Sequence, residues 1–409
     1  MSEAAVCWKL YSAFVMPHAL ALAVEAATTA MTVAGLVYFV AALVASRSFP
    51  ALRRRPLPAF APPVSILKSL KGTDPGMLDA FRTHCRQSYA SEYELLFGVS
   101  SPNDPAVEVV EQLKREFPDR AIRLVECSAQ LGTNGKVSTL AQLAPLARYD
   151  FLLVNDSDIT VNPRYLEHVM AQFAAPARGE AAQKAVGLVT ALYRGRAHGG
   201  FAAKLEQLSI ATDFMAGVLL SRQIEGGLHY GLGSTLAVRR EALAAIGGFE
   251  ALADQLADDY ELGARVDAAG YRVELCGEVV ETAIPDYGWR GFADHQLRWL
   301  RTVRDARPWG YFGLIVTHGF CWALLNLIAS GLSPVSLWLL AMSFFLRLTL
   351  AMSVGAGDLG DHQVLVNLWL LPLRDCIAMA LWVAGFASST IVWRGERFDV
   401  KNGRLYKRA

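Results

Sequence analysis

Leu152-Leu153-Val154-Asn155-Asp156-Ser157-Asp158 is an apolar run that stops in two carboxylates. In an extended segment positions i and i+2 project to the same side, so Asp156 and Asp158 both face one point beyond the strand end. Hard divalent cations such as Mg2+ or Mn2+ take one or two protein carboxylates and complete their shell with water or diphosphate oxygens. A strand-ending turn rich in Asp and Ser also satisfies its own backbone, so this motif alone leaves both readings open.

Outward from it, residues 47 to 307 alternate short β-rich runs with helical stretches, the pattern of an α/β sheet whose ligand site lies at strand C-termini. Strands are expected over 64–70, 93–101, 122–128, 150–155, 186–193, 232–238 and 271–281. Helices are expected after Asp74-Pro75 and over 105–117, 136–147 and 163–173. No repeat of solenoid length occurs. No GxGxxG follows a strand and no GxxxxGK[ST] occurs, which removes the simplest dinucleotide-binding and P-loop readings.

Further residues of this segment have the chemistry of a site. Asp258 and Asp259 open a helix in Leu256-Ala257-Asp258-Asp259-Tyr260-Glu261, where N-capping explains one acid and a general base needs the other; Asp259 is the candidate base. His295-Gln296-Leu297-Arg298-Trp299 is followed by Arg301, Arg304 and Arg307, one basic helical face leading to Trp309. That face suits lipid headgroups, and Arg298 suits a diphosphate because a guanidinium pairs bidentately with phosphate. Asp104 in Asn103-Asp104-Pro105 follows the second strand and can meet a nucleotide, although the tripeptide is also an ordinary turn and helix cap. Lys136 starts a helix and can reach phosphate, or is simply exposed there. The short apolar run 214–220 cannot span a bilayer and either lies at its surface or packs in the core.

Composition divides the 409 residues between lipid and water. The chain is 53% apolar and 19% charged, more apolar than a soluble enzyme. Lys and Arg number 39 against 38 Asp and Glu, so no global basic field exists for nucleic acid. Cys7, Cys85, Cys127, Cys276, Cys321 and Cys376 show no CxxC or Cys/His spacing, which argues for buried thiols rather than zinc or disulfides. Residues 26–46 carry no charge and precede Arg47, Arg53, Arg54 and Arg55, the pattern of an anchor with a cytoplasmic C-terminal flank. The run is long and lacks a charged region just before it, which favours an uncleaved anchor over a signal peptide. Residues 10–24 are apolar but interrupted by Pro17 and His18, and are expected to lie at the interface or against the anchor.

Residues 308–346 contain no Asp, Glu, Lys or Arg and break near Gly331 and Pro334, as expected of a helical hairpin. Arg347 then has to face protein or snorkel. Residues 364–373 are too short to cross, Arg374-Asp375 interrupts, and 376–393 is nearly long enough. A crossing there puts the tail with Arg394, Arg397, Lys401, Arg404, Lys407 and Arg408 outside, against the positive-inside rule, whereas a re-entrant 364–393 does not.

Taken in order, six stretches resemble the inverting nucleotide-sugar glycosyltransferases of the GT-A fold, in the ceramide glucosyltransferase-like branch. They are Val64-Ser65-Ile66-Leu67-Lys68-Ser69-Leu70-Lys71-Gly72, Asn103-Asp104-Pro105, Asn155-Asp156-Ser157-Asp158, Gly200-Phe201-Ala202-Ala203-Lys204-Leu205-Glu206-Gln207, Asp258-Asp259-Tyr260 and Arg298-Trp299. The resemblance implies a Rossmann-like, nucleotide-sugar-binding α/β domain over 48–308 ending in the basic helix. An anchor over 1–47, a membrane region over 309–393 and a basic cytosolic tail over 394–409 complete the expected organisation. It also implies Asp104, Lys136, Asp156, Arg298 and Trp299 on the UDP-sugar donor, Asp156 and Asp158 on Mg2+ or Mn2+, Asp259 as base, and His295, Gln296 and Asp258 toward the acceptor. The family pattern has Gln or Arg where His295 stands.

The runs Ile210-Ala211-Thr212-Asp213-Phe214-Met215 and Leu232-Gly233-Ser234-Thr235 look similar to a bacterial hopanoid-biosynthesis group that attaches N-acetylglucosamine to a hopanoid polyol. A ceramide glycosyltransferase using UDP-glucose or UDP-glucuronate is the alternative. Either lipid implies a multi-pass protein of the cytoplasmic membrane with its site facing the cytosol. A processive polysaccharide synthase would need more spans, and a transporter or scaffold would need paired broken helices with intramembrane polar groups.

Overall fold

The computed structural model describes residues 3–174, 184–393 and 396–407, with side chains from His18 onward. Eight strands form one mixed sheet: β1 (Val64–Leu70), β2 (Tyr93–Val99), β3 (Ala121–Glu126), β4 (Phe151–Val154), β5 (Ile159–Thr160), β6 (Val186–Ala197), β7 (Leu236–Arg239) and β8 (Arg272–Ile284). Their order is β3-β2-β1-β4-β7-β6-β8-β5. The first four pair in parallel, with Leu67 opposite Val154 at the C-terminal edge, and β7 then runs antiparallel to β4. Alternation along β4 sends Leu152 and Val154 into one core and Phe151 and Leu153 into the other. Helices covering both faces of the parallel strands explain why these runs read as nearly continuous apolar sequence.

Helices of seven or more residues are α1 (Glu3–Ser46), α2 (Met77–Cys85), α3 (Ala106–Glu116), α4 (Gly135–Leu143), α5 (Tyr165–Ala171), α6 (Phe201–Ser209), α7 (Met215–Ile224), α8 (Asp258–Ala268), α9 (Trp289–Ala306), α10 (Gly319–Ala329), α11 (Pro334–Leu350) and α12 (Leu371–Gly385). The segment 10–24 is continuous with the anchor in α1, because the helix runs on through Pro17. The run 214–220 packs in the core: Met215, Ala216, Val218 and Leu219 are buried, while Phe214 ends a π-helical turn over Ile210–Phe214.

Four segments, His18–Arg53, Pro308–Ala329, Pro334–Asp358 and His362–Gly385, are long and apolar enough to cross a membrane. α10 lies antiparallel to α1. Gly35 and Gly319 let the backbones touch, since a Cβ on Gly35 would fall 2.3 Å from the Gly319 Cα. Further along, the Asn326 amide donates to Thr28 Oγ1 at 3.2 Å and Thr29 Oγ1 at 2.6 Å. The hairpin break is where the sequence puts it. Gly331 is left-handed at φ 62°, Ser333 caps α11 and Pro334 is its first residue.

Two expectations about the C-terminal region are corrected. Arg374 and Asp375 do not interrupt a helix; they lie inside α12 and turn toward protein. Arg347 binds both Asp375 oxygens, at 2.9 and 3.0 Å, and also Thr212 Oγ1 and Asp213 Oδ1, each at 2.9 Å. Arg374 binds Asp213 and Asp375 as well. This four-charge cluster fastens α11 and α12 to the π turn of the α/β domain.

The other correction concerns 376–393 and the tail. The helix ends at Gly385, and Thr390–Trp393 (β9), Glu396–Lys401 (β10) and Arg404–Lys407 (β11) form an antiparallel sheet. Of the tail's basic residues, Arg394 and Arg408 lie outside the described residues. The sheet docks on the α/β domain, where Leu256 N–H donates to Gly403 O at 2.8 Å and Leu405 N–H to Asp254 O at 2.9 Å. Among the described residues Cys85, Cys127, Cys276, Cys321 and Cys376 are free thiols; the Cys7 side chain lies outside them.

Removing one member of a buried ion pair leaves the other unpaired, typically at a cost of about 3–5 kcal/mol. Arg347→Ala is therefore expected to lower the melting temperature in detergent sharply. Arg347→Met with Asp375→Leu, which removes one charge of each sign and leaves Arg374 with Asp213, is expected to recover part of that loss; equal melting of wild type and Arg347→Ala would contradict the assignment.

Candidate active site

Where β4 ends, the chain is locked from beneath. The buried Asn155 amide donates to Tyr165 Oη at 3.0 Å and Ser234 O at 2.6 Å. Lys68 Nζ, fully buried under β1, donates to Asp156 O at 3.0 Å. Burial pulls the Lys68 ammonium down to about 7, a fall the charges of Asp156 and Asp158 limit. With the backbone fixed, the chain leaves the strand in a turn rather than extended, and Asp156 and Asp158 stay near enough for the charge of one to act on the other. The Asp156 side chain is 45% exposed, and Lys136 Nζ lies 2.7 Å from its Oδ1. Asp158 accepts from Thr282 Oγ1, while burial and the neighbouring Asp156 charge push its carboxyl up to about 6.

The second acid pair is brought to the first by a tied loop. Asn134 caps α4 by accepting from Val137 N–H at 3.2 Å. Its backbone N–H donates to Ala253 O at 2.7 Å and its side chain to Gln255 O at 2.8 Å. The loop entering α8 is thus held against the start of α4, and Lys136 Nζ lies 3.6 Å from Asp258 Oδ2. Burial lowers the Lys136 pKa, but Asp156 and Asp258 more than offset it, so the ammonium stays charged. Asp259 accepts from Tyr260 N–H at 2.8 Å. Burial, then the charge of Asp258, raises its carboxyl to about 6 against the opposing pull of Lys136.

Two groups that the sequence reading missed complete this centre. Tyr193, on β6, has its phenol pKa raised by burial and then by Asp259, Glu206, Asp156 and Asp158, so one hydroxyl sits within Coulombic reach of all four carboxylates. Gly233 presses against the candidate base: a Cβ there would lie 2.9 Å from Asp259 Oδ2. Tyr193 had no sequence signal of its own, since a strand tyrosine is common, and Gly233 lies in the quoted run Leu232-Gly233-Ser234-Thr235, whose contact with Asp259 appears only in the fold.

α9 presents two stripes. Phe292, His295, Gln296 and Trp299 share one, as helical spacing requires. His295 Nδ1 and Gln296 Nε2 reach the buried Glu206 carboxylate at 3.1 and 3.2 Å, and the Tyr287 hydroxyl joins them. Ring contacts run from His295 to Trp299 at 4.7 Å, to Phe214 at 6.4 Å and to Tyr193 at 6.0 Å, an aromatic wall between this cluster and the acid pairs. Glu206 lies in a quoted stretch, yet its role appears only when α6 meets α9. On the other stripe Arg298 lies over the Trp393 ring.

The later arginines of this helix all bond to protein. Arg301 donates to Thr390 O, Arg304 to Gly385 O, and Arg307 pairs with Glu225. Asp104 accepts from Gly72 N–H at 3.0 Å and Ala106 N–H at 2.9 Å, so its carboxylate caps a helix and holds the loop after β1. Among the described residues no group of three His, Cys, Asp or Glu clusters as metal ligands.

The chain and its fold have known counterparts. The profile described as "Glycosyl transferase family 21" matches residues 27–406. The chain belongs to that family. Ceramide glucosyltransferase 3 of Caenorhabditis elegans is 24% identical over 356 residues, 84% of this chain and 73% of that protein. Ceramide glucosyltransferase 1 of the same organism is 23% identical over 351 residues, 84% and 72% respectively. The mannosyltransferase PcManGT from Pyrobaculum calidifontis, solved with GDP-Man and Mn2+, covers 89% of this chain and 98% of its own at 19% identity and a TM-score of 0.53. That likeness is one of fold. The family 21 chain therefore has a glycosyltransferase-like GT-A core.

Crowding at Gly233 generates a prediction for this glycosyltransferase. Gly233→Ala pushes a methyl onto the Asp259 carboxylate, and displacement of a reacting group costs rate before it costs binding. Turnover is expected to fall roughly tenfold or more with UDP affinity retained. Unchanged turnover, measured beside UDP calorimetry, would show that Asp259 tolerates displacement.

Proposed function

We propose that this glycosyltransferase moves glucose from UDP-glucose to a hydroxyl of a ceramide-type lipid, inverting the anomeric centre. The observation that carries the reading is the half-buried Asp259, a carboxyl raised toward neutrality and set across Lys136 from the Asp156–Asp158 pair. The acceptor assignment rests on the named relatives, which are ceramide glucosyltransferases. The hopanoid and N-acetylglucosamine reading finds no support in those comparisons and becomes the competing outcome of the test. Family membership also removes the transporter and scaffold readings.

Asp156 and Asp158 would hold Mg2+ or Mn2+. The pair fits such a cation: two carboxylates follow one strand end and one of them is half exposed, and a hard cation completes its shell with water and diphosphate oxygens. When bound, the cation offsets negative charge on the diphosphate. Lys136 adds a fixed positive charge to the same region and Arg298 a planar guanidinium. Asp259 accepts the proton of the attacking hydroxyl as the oxygen closes on the anomeric carbon, and the bond to UDP breaks on the opposite face. The wall of Tyr193, Phe214 and Trp299 lines the acceptor side, with His295, Gln296 and Asp258 supplying polar contacts.

The contacts of residues 362–385 support a topology in which α1, 308–329 and 334–358 cross and 362–385 lies along the membrane face. At its start Gln363 bonds Ala197, in its middle Arg374 bonds Ser209, and at its end Gly385 O accepts from Arg304, all in the α/β domain. Three crossings leave the C-terminal sheet on the same side as the catalytic sheet, with the arginines after α1. Positive-inside bias makes that side the cytosol, where soluble nucleotide sugar is available.

Purified protein in detergent, given UDP-glucose, UDP-N-acetylglucosamine or UDP-glucuronate with ceramide or a hopanoid polyol, is expected to release UDP with UDP-glucose and ceramide. Release only with the hopanoid polyol would replace the acceptor. Asp259→Asn is expected to lose transfer by at least about 100-fold and keep UDP binding. A base must be ionised, so kcat/KM of the wild type is expected to rise with pH through about 6. Near-normal transfer by Asp259→Asn, or a profile flat down to pH 4 or so, would contradict the assigned base.

A further inference from the structure

We infer that the C-terminal sheet is part of the donor site, with Trp393 as a positioning residue for Arg298; the inference rests on the UDP-sugar reading above. Trp393 and Glu396 are register partners where β9 and β10 meet. From that one end the two side chains contact two different segments of the α/β domain. The Trp393 ring lies under the Arg298 guanidinium, 5.9 Å from ring centroid to Cζ. Glu396 Oε1 lies 3.8 Å from Lys71 Nζ, and Lys71 adjoins Gly72, whose N–H holds Asp104. The end of the sheet thus bridges the loop after β1, which Asp104 holds, and the arginine proposed for the diphosphate.

The sheet is held firmly enough to position a side chain. Residues 298, 301 and 305 form one stripe of α9. Arg301 donates to Thr390 O, and Asp305 accepts from Gly403 N–H. Leu256, two residues before Asp258, is buried with Ile391, Phe398, Val400 and Leu405 in a small core of their own. The same sheet therefore fixes the arginine of α9 and the loop that delivers the second acid pair. Of the two contacts at its end, the aromatic one matters more. Lys71 and Glu396 are 59% and 40% exposed, where an ion pair contributes little. A guanidinium against an indole face keeps its direction and its charge, ready for a diphosphate.

The test is UDP binding by calorimetry on full-length protein, with KM for each substrate and melting temperature measured alongside. Trp393→Leu keeps apolar cover over Phe398 and removes the aromatic face; Trp393→Phe restores a face. Trp393→Leu is expected to weaken UDP binding and raise donor KM about fivefold, with acceptor KM and melting temperature unchanged. Trp393→Phe is expected to return both to within about twofold of wild type. Wild-type affinity for UDP in Trp393→Leu would overturn the inference, and so would equal losses in both variants tracking lowered melting temperatures. Wild-type protein that bound no UDP would overturn the UDP-sugar reading itself, and this inference with it.

Discussion

The ammonium of Lys136, held 2.7 Å from Asp156 and 3.6 Å from Asp258, joins two acid pairs that the chain places a hundred residues apart. Without it the carboxylates at the end of β4 and at the start of α8 would repel one another across a half-buried space. With it they define one centre, and Asp259 inherits an environment that raises its carboxyl without neutralising it entirely. Each supporting bond answers to that requirement. Lys68 and Asn155 fix the backbone beneath Asp156, Asn134 ties the α8 loop to α4, and Gly233 brings a backbone against the base.

The membrane region is coupled to this centre by charge as well as by apolar packing. Arg347, Arg374, Asp213 and Asp375 compensate one another in a place that would expel any of them alone. The cluster is anchored at the π turn of Ile210–Phe214, and Phe214 is itself a member of the aromatic wall. In the proposed reaction, a lipid that stays in its leaflet meets the candidate carboxylates beside a wall that is itself fastened to the apolar C-terminal helices.

Much of the catalytic sheet was legible because its strands obey two simple rules: apolar runs where both faces are covered, and acids where the strand meets solvent. β1 was read at its observed bounds for that reason. The hairpin break was legible from Gly331 and Pro334, whose backbone preferences are local. What failed was whatever depends on a distant partner. Arg374-Asp375 reads as a break to anyone who assigns charge to water, yet the pair finds its counterions 28 residues or more away in Arg347 and Asp213. β10 and β11 are strands rich in charge that a pattern search assigns to a tail; they hold their form by docking on Leu256. Tyr193 and Glu206 gain their roles only from the neighbours the fold gives them.

The proposed single displacement, with Asp259 as base and no protein nucleophile, has a stereochemical consequence that can be read from the product alone. The decisive measurement is the anomeric configuration of the glycolipid, by proton NMR on material made by the purified protein from α-linked UDP-glucose. A β-glycosidic bond is the predicted result. An α-glycosidic product would contradict the account, because it requires two inversions or a front-face reaction that the assigned roles do not provide.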